Sequence, residues 1–153
     1  MMPPSDRLKA LGWELPPPPT PAGSYAPVVV DRGTAYVAGQ IVVDAGKAVS
    51  PGRVDEDVSV ERAKELARTA TLQALSAIAA TVGSIDRIDR IVRVAVFVAS
   101  SPTFVRAHEV ANGATEPLFS LFGEAGRPAR VAVGVAALPL NAPVEVELWA
   151  AIR

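Results

Sequence analysis

The spacing of hydrophobic positions changes several times along this chain, and each change predicts an element. "YAPVVVDRGTAYVAGQIVV", starting at Tyr25, holds two β-rich runs around "DRGT" and reads as a hairpin turned by Gly33. Gly39, at the end of the second run, marks a bulge or a close backbone approach. "DAGKAVSPGRV" has no period and reads as a loop. From Ser59 to Val82 the spacing is helical: Ala63, Leu66, Ala67, Ala70, Leu75 and Ile78 share a broad apolar stripe. Asp55, Glu56 and Asp57 suit the N-terminus of that helix, and Gly83 ends it. "RIDRIVRVAVFVAS" predicts a strand that starts polar and ends apolar. "SPTFVRAHEVANGATEPLFSLFG" predicts a second helical region, interrupted near Asn112–Gly113 and again near Pro117. "ARVAVGVAAL" and "VEVELWAAI" close the chain as two strands joined by "PLNAP". The order β-β-α-β-α-β-β predicts an α+β fold, a single-layer sheet packed on two helices.

The strands are apolar on both faces. Val94, Val96 and Val98 point one way, and Ala95, Phe97 and Ala99 the other. An antiparallel sheet with one wet face alternates apolar with polar residues. Two helices cover one face, which leaves the other for further copies of the chain in a closed homo-oligomer. Ahead of the hairpin, "SDRLKALGW" predicts a short helix capped by Ser5 or Asp6, followed by the arm "LPPPPTP" in a polyproline II conformation. The arm reads either as a ligand for a proline-reading domain or as a stiff strap on the protein's own surface. Residues 1–22 form this helix and arm, and 23–153 the domain proper.

Composition removes several classes of function. A net charge of −1 gives no field directed at nucleic acid or anionic membrane. There are no cysteines and one histidine, so disulfides, thiolate chemistry and the usual zinc or iron sites are not expected. Every apolar run is interrupted before it reaches bilayer length, and the N-terminus lacks the pattern of a secretory signal. A soluble cytoplasmic protein without metal or organic cofactor is expected.

A few polar residues sit where the pattern does not ask for them. Arg130 opens an apolar strand; Glu145 and Glu147, two apart, share one face of the last strand. A solvated face or a structural Arg130–Glu145 bridge fits that pattern, and so does a functional site. His108 lies mid-helix beside Arg106 and Glu109 and reads as a surface or satisfied side chain. Arg87, Arg90 and Arg93 interleave with Asp86 and Asp89 and read as a self-paired, solvated segment.

From Tyr25 to Ile152 the chain resembles the RidA/YjgF family. The residues that carry the resemblance are "GSYAPVV", "YVAGQI", "VRVAVFVASSPTF", "NGATEPLFSLFGEAGRPARVAVGVAALP" and "PVEVELWAAI", with a longer proline-rich N-terminus than the best-known deaminases. The resemblance implies a chorismate-mutase-like α+β fold and a homotrimer with clefts between subunits. It also implies hydrolysis of reactive 2-enamine and 2-imine acids to 2-keto acids and ammonia, as in a 2-iminobutanoate/2-iminopropanoate deaminase. Carried over by position, Arg130 holds the substrate carboxylate and Glu145 assists the water, while Tyr25, Gly39 and Asn112 complete the binding site. The chain departs from the deaminating pattern at Ala38, Val131, Ala132 and Gly134, where polar, thiol or acidic residues are common. Other readings are a non-catalytic trimer that binds a small carboxylate or a partner protein, and an endoribonuclease or translation inhibitor. The net charge and the absence of a basic, aromatic-rich surface speak against the last.

Overall fold

The computed structural model describes residues 2–153. A short helix α1 (Pro4–Ala10) precedes the arm. The hairpin β1 (Val28–Asp31) and β2 (Thr34–Gln40) follows, with Arg32 and Gly33 both at positive φ (48° and 76°), the twist that suits a two-residue hairpin turn. The segment expected as a loop carries a second, minimal hairpin, β3 (Val43–Asp44) and β4 (Lys47–Ala48). Helix α2 (Val60–Val82) leads to β5 (Ile88–Ala99), α3 (Ala107–Phe122), β6 (Ala129–Val135) and β7 (Val144–Ile152).

The main sheet has the order β1-β2-β7-β5-β6. The last strand is inserted between β2 and β5, antiparallel to both, while β6 runs parallel to β5 at the edge. That parallel pair needs a crossover, which α3 supplies. Helices α2 and α3 cover one face. The core lies between them and Val37, Ile91, Val94, Val96, Val98, Val144, Val146, Leu148 and Ala150. The observed architecture is the α+β sheet-and-helix layer that the pattern predicts.

Three further local expectations fail, each for a physical reason. The acidic run does not enter the first turn of α2. Asp57 accepts from the Arg53 N–H (2.9 Å) in a tight turn, Asp55 takes a positive φ of 74°, and Ser59 caps the helix through the Arg62 N–H (3.1 Å). Neither Ser5 nor Asp6 caps α1, which starts at Pro4; Ser5 bonds Asp86 instead. Helix α3 runs unbroken through Asn112–Gly113 and Pro117. Gly113 is there for contact: a Cβ on it would stand 2.2 Å from the Lys64 carbonyl oxygen of α2. The helices touch backbone to backbone at this point, and packing outweighs the low helix propensity of glycine.

The other face of the sheet carries Val29, Tyr36, Arg93, Phe97, Val131, Val133, Glu145, Glu147 and Trp149. Val29, Tyr36, Val131 and Val133 are exposed there. The apolar second face expected from the alternation is present and uncovered in the single chain.

The arm lies on the body of the protein. Ser76 Oγ donates to the Pro16 carbonyl, Trp13 sits 4.0 Å beneath the Arg68 guanidinium, and Leu15 packs against the core.

Candidate functional site

Glu145 and Glu147 share the uncovered face, and Val144, Val146 and Leu148 point into the core. Strand register then separates the two carboxylates. Arg93 on β5 lies opposite Trp149, stacks on its ring at 5.0 Å and donates to Glu147 Oε1 at 2.9 Å. Glu145 faces Phe97 and Gly39, and among the described residues no cation or donor relieves it. Its carboxyl is held above the usual carboxylate range, by burial first and by the neighbouring Glu147 charge second.

Gly39 makes that placement possible. Between Val37 and Gln40 the β2–β7 register shifts, the bulge that the glycine suggests. A Cβ on Gly39 would stand 2.9 Å from Glu145 Cδ and 3.1 Å from Oε2. The missing side chain is the space the carboxylate occupies. Tyr25 lies in the turn before β1 rather than on a strand, and its hydroxyl accepts from the Ala22 N–H at 3.4 Å. Tyr25, Gly39 and Glu145 line one open cleft of 830 Å³, together with the proline arm, Gln40, Ile41, Gln73 and Leu140.

Arg130 and Asn112 form a second group. On β6, Arg130 lies level with Val94, so its side chain emerges on the helix side of the sheet. There it donates to Asn112 Oδ1 (2.8 Å), Thr115 Oγ1 (3.2 Å) and the His108 carbonyl (3.4 Å). These positions share one face of α3, because they are spaced by three and four residues. Arg130 is exposed and borders a shallow 470 Å³ recess with Thr115, Phe119 and Arg127.

Within one chain, therefore, Arg130 and Asn112 are together, and Tyr25, Gly39 and Glu145 are together, but the two groups are apart. Arg130 and Glu145 lie on strands separated by β5 and on opposite faces of the sheet. No Arg130–Glu145 bridge forms among the described residues. Thr115 was not anticipated, although its position three residues after Asn112 would have placed it beside the same partner. The arm, Gln73 and Leu140 could not be assigned to a cleft from local pattern, since they meet it only through the tertiary fold.

A five-stranded sheet with helices on one face and an uncovered second face that exposes Val29, Tyr36, Val131 and Val133 defines a small α+β protein. The profile of the endoribonuclease L-PSP family, the RidA/YjgF family, matches residues 17–152, and the chain belongs to that family. It is 40% identical to Protein TCP17 of Trypanosoma cruzi over 92% of this chain and 88% of that one. A crystal structure from Agrobacterium tumefaciens is 37% identical, with a TM-score of 0.86 over 97% of this chain and 91% of its own. The YjgF gene product of E. coli is 27% identical, with a TM-score of 0.62 over 89% of this chain and 94% of its own.

Proposed function

We propose that the protein hydrolyses reactive 2-enamine and 2-imine acids to 2-keto acids and ammonia. The site is a cleft between subunits of a homotrimer, with Arg130 of one copy facing Glu145 of another. The observation that carries this reading is Glu145: a half-buried carboxyl whose pKa burial pushes up, unrelieved by any donor among the described residues and set against Gly39 at a cleft. A general base works best when its pKa approaches the working pH, and burial moves Glu145 in that direction.

The steps balance without a cofactor. An enamine acid takes a proton from solvent at C3 and becomes the protonated 2-imine. Water attacks C2 as its proton passes to Glu145, giving a tetrahedral carbinolamine. The nitrogen takes that proton back from Glu145, the C2–N bond breaks as the hydroxyl gives its proton to the freed carboxylate, and ammonia leaves with the keto group formed. Glu145 then returns its proton to solvent. Arg130 offers its fork to the substrate carboxylate, a charge-assisted pairing that is stronger in a partly dry cleft than in water. Asn112 and Thr115 fix the direction of that fork, Gly39 keeps the backbone out of the way of Glu145, and Tyr25 lines the cleft.

The assay mixes the protein with freshly generated 2-aminoacrylate and follows pyruvate and ammonia. Release faster than the uncatalysed rate is expected; equal rates overturn the proposal. A second reading, a non-catalytic carboxylate-binding trimer, is favoured by Ala38, Val131, Ala132 and Gly134, which thin the polar surroundings of the site. It predicts keto-acid binding with no acceleration. The nuclease in the family's description is a weaker match, because the net charge is −1 and Arg93 is already tied to Glu147.

A further inference from the structure

We infer that the Glu145 cleft selects 2-imino acids with large apolar side chains, and that the proline arm is the wall that selects them. This rests on the function proposed above and specifies its substrate class. The cleft measures 830 Å³. That is the open cleft of one chain, and the copy that brings Arg130 to it closes part of the space. Clefts of about 300–1,000 Å³ hold drug-sized ligands, so one that starts at this size leaves room along the arm for more than a three-carbon acid.

Part of its polar lining is spent. Gln73 Nε2 donates to Gln40 Oε1 and to the Ile41 carbonyl, Gln40 Nε2 donates to the Ala38 carbonyl, and the Tyr25 hydroxyl accepts from the Ala22 N–H at 3.4 Å, which leaves its own proton and the Thr20 hydroxyl for a ligand. Beyond Glu145, the surface left for a ligand is mainly Pro16, Pro17, Pro19 and Pro21 on one side, with Ile41 and Leu140 among the rest. Such a surface gains from an isobutyl or benzyl group and offers nothing specific to a methyl.

The arm is built as a wall rather than a tail. Consecutive prolines hold an extended conformation at little entropic cost, so contact with a ligand does not have to order them. The Trp13–Arg68 stack and the Ser76–Pro16 hydrogen bond fix its near end to α2.

The test compares kcat/KM for imines generated in situ from leucine or phenylalanine with those from alanine, using an amino-acid oxidase and the full chain. The large substrates should be preferred about tenfold or more, the usual worth of extra methylenes in an apolar pocket. Thr20→Trp, which fills the cleft from the arm, should cut that preference ratio about tenfold. Trp13→Ala, which unfastens the arm, should raise KM for the large substrates more than it changes kcat. Equal or better use of the alanine-derived imine, or a ratio insensitive to Thr20→Trp, overturns the inference. If neither imine is hydrolysed, calorimetric titration with phenylpyruvate and pyruvate separates the two claims. Tighter binding of phenylpyruvate that Thr20→Trp weakens upholds the selectivity and sinks the hydrolysis. Equal or absent binding of both sinks the selectivity as well.

Discussion

Glu145 and Glu147 are two residues apart on one strand, yet their surroundings give them different chemistry. Arg93 pairs with Glu147, while Glu145 has no such partner among the described residues and is left to burial and to its neighbour's charge. The alternation of "VEVE" put both on one face, but which of them Arg93 meets depends on the β5–β7 register, and no local pattern carries that. Glu145→Gln should lower turnover about 10²–10⁴-fold, the usual contribution of a positioned base. Its stability should move the other way. The folded pKa of Glu145 is raised, so whatever it contributes to stability is present below the ordinary glutamate range and is lost as pH rises through its folded value. At pH 7 the charged form is a liability, and the glutamine should melt at the same temperature or higher. The pH profile follows the same sign: the acid limb of the rate should lie above the ordinary glutamate range and vanish in the variant. A variant that stays active, or one that unfolds, would make Glu145 architecture. Arg130→Ala should abolish carboxylate binding, a loss of roughly 2–4 kcal/mol, while its exposed bonds to Asn112, Thr115 and His108 cost the fold only about 1 kcal/mol. Thermal melting beside ligand titration checks both; a large fall in Tm with no ligand effect would contradict the assignment.

At the scale of elements, hydrophobic period located the long helix and the five strands of the main sheet, and it failed at the small β3–β4 hairpin and where one backbone touches another. Gly113 reads as a helix breaker in isolation and is a contact point in the fold, a distinction set by Lys64 in a different helix. The N-terminal helix shows the same limit. Ser5 looks like a cap, but its N–H and hydroxyl both bond the Asp86 carboxylate, at 2.8 and 2.7 Å. Burial pushes the Asp86 pKa up, yet the Ser5 bonds, Ser84 and Arg153 bring it to a net value below the usual one. A depressed folded pKa means stability that is present above the ordinary aspartate range and lost as pH falls through the folded value. Asp86→Asn should therefore destabilise the native protein by about 1 kcal/mol at neutral pH, with the gap closing in acid. It should also raise amide exchange in residues 4–10, because Asp86 fastens that helix to the segment before β5. Uniform exchange across the whole chain, or an equal deficit at low pH, would show that the carboxylate does not act as this clasp.

For the whole molecule, the decisive feature is the insertion of the last strand between β2 and β5. Strands β6 and β7 are consecutive in sequence, which made Arg130 and Glu145 look like neighbours. In the fold β5 separates them and they emerge on opposite faces, a consequence of topology that period and spacing cannot express. On the proposed function, one chain thus holds two incomplete half-sites, and it has an uncovered apolar sheet face with Val29, Tyr36, Val131 and Val133 exposed. Joining copies through that face, so that Arg130 of one meets Glu145 of the next, would resolve both deficits. Light scattering should report a trimer at micromolar concentration, and a stable monomer would end this account. A mixing experiment tests the shared site itself. Arg130→Ala keeps an intact Glu145, and Glu145→Gln keeps an intact Arg130; each alone should be inactive. After the two are unfolded together at equal amounts and refolded, half of the subunits carry each intact group. In a closed ring a site needs the right variant on both sides, so roughly a quarter of the sites should regain activity. A site confined to one chain would regain none. Inactivity of the mixture, with trimers of mixed composition verified by mass spectrometry, would therefore refute the shared site even if the oligomer is real.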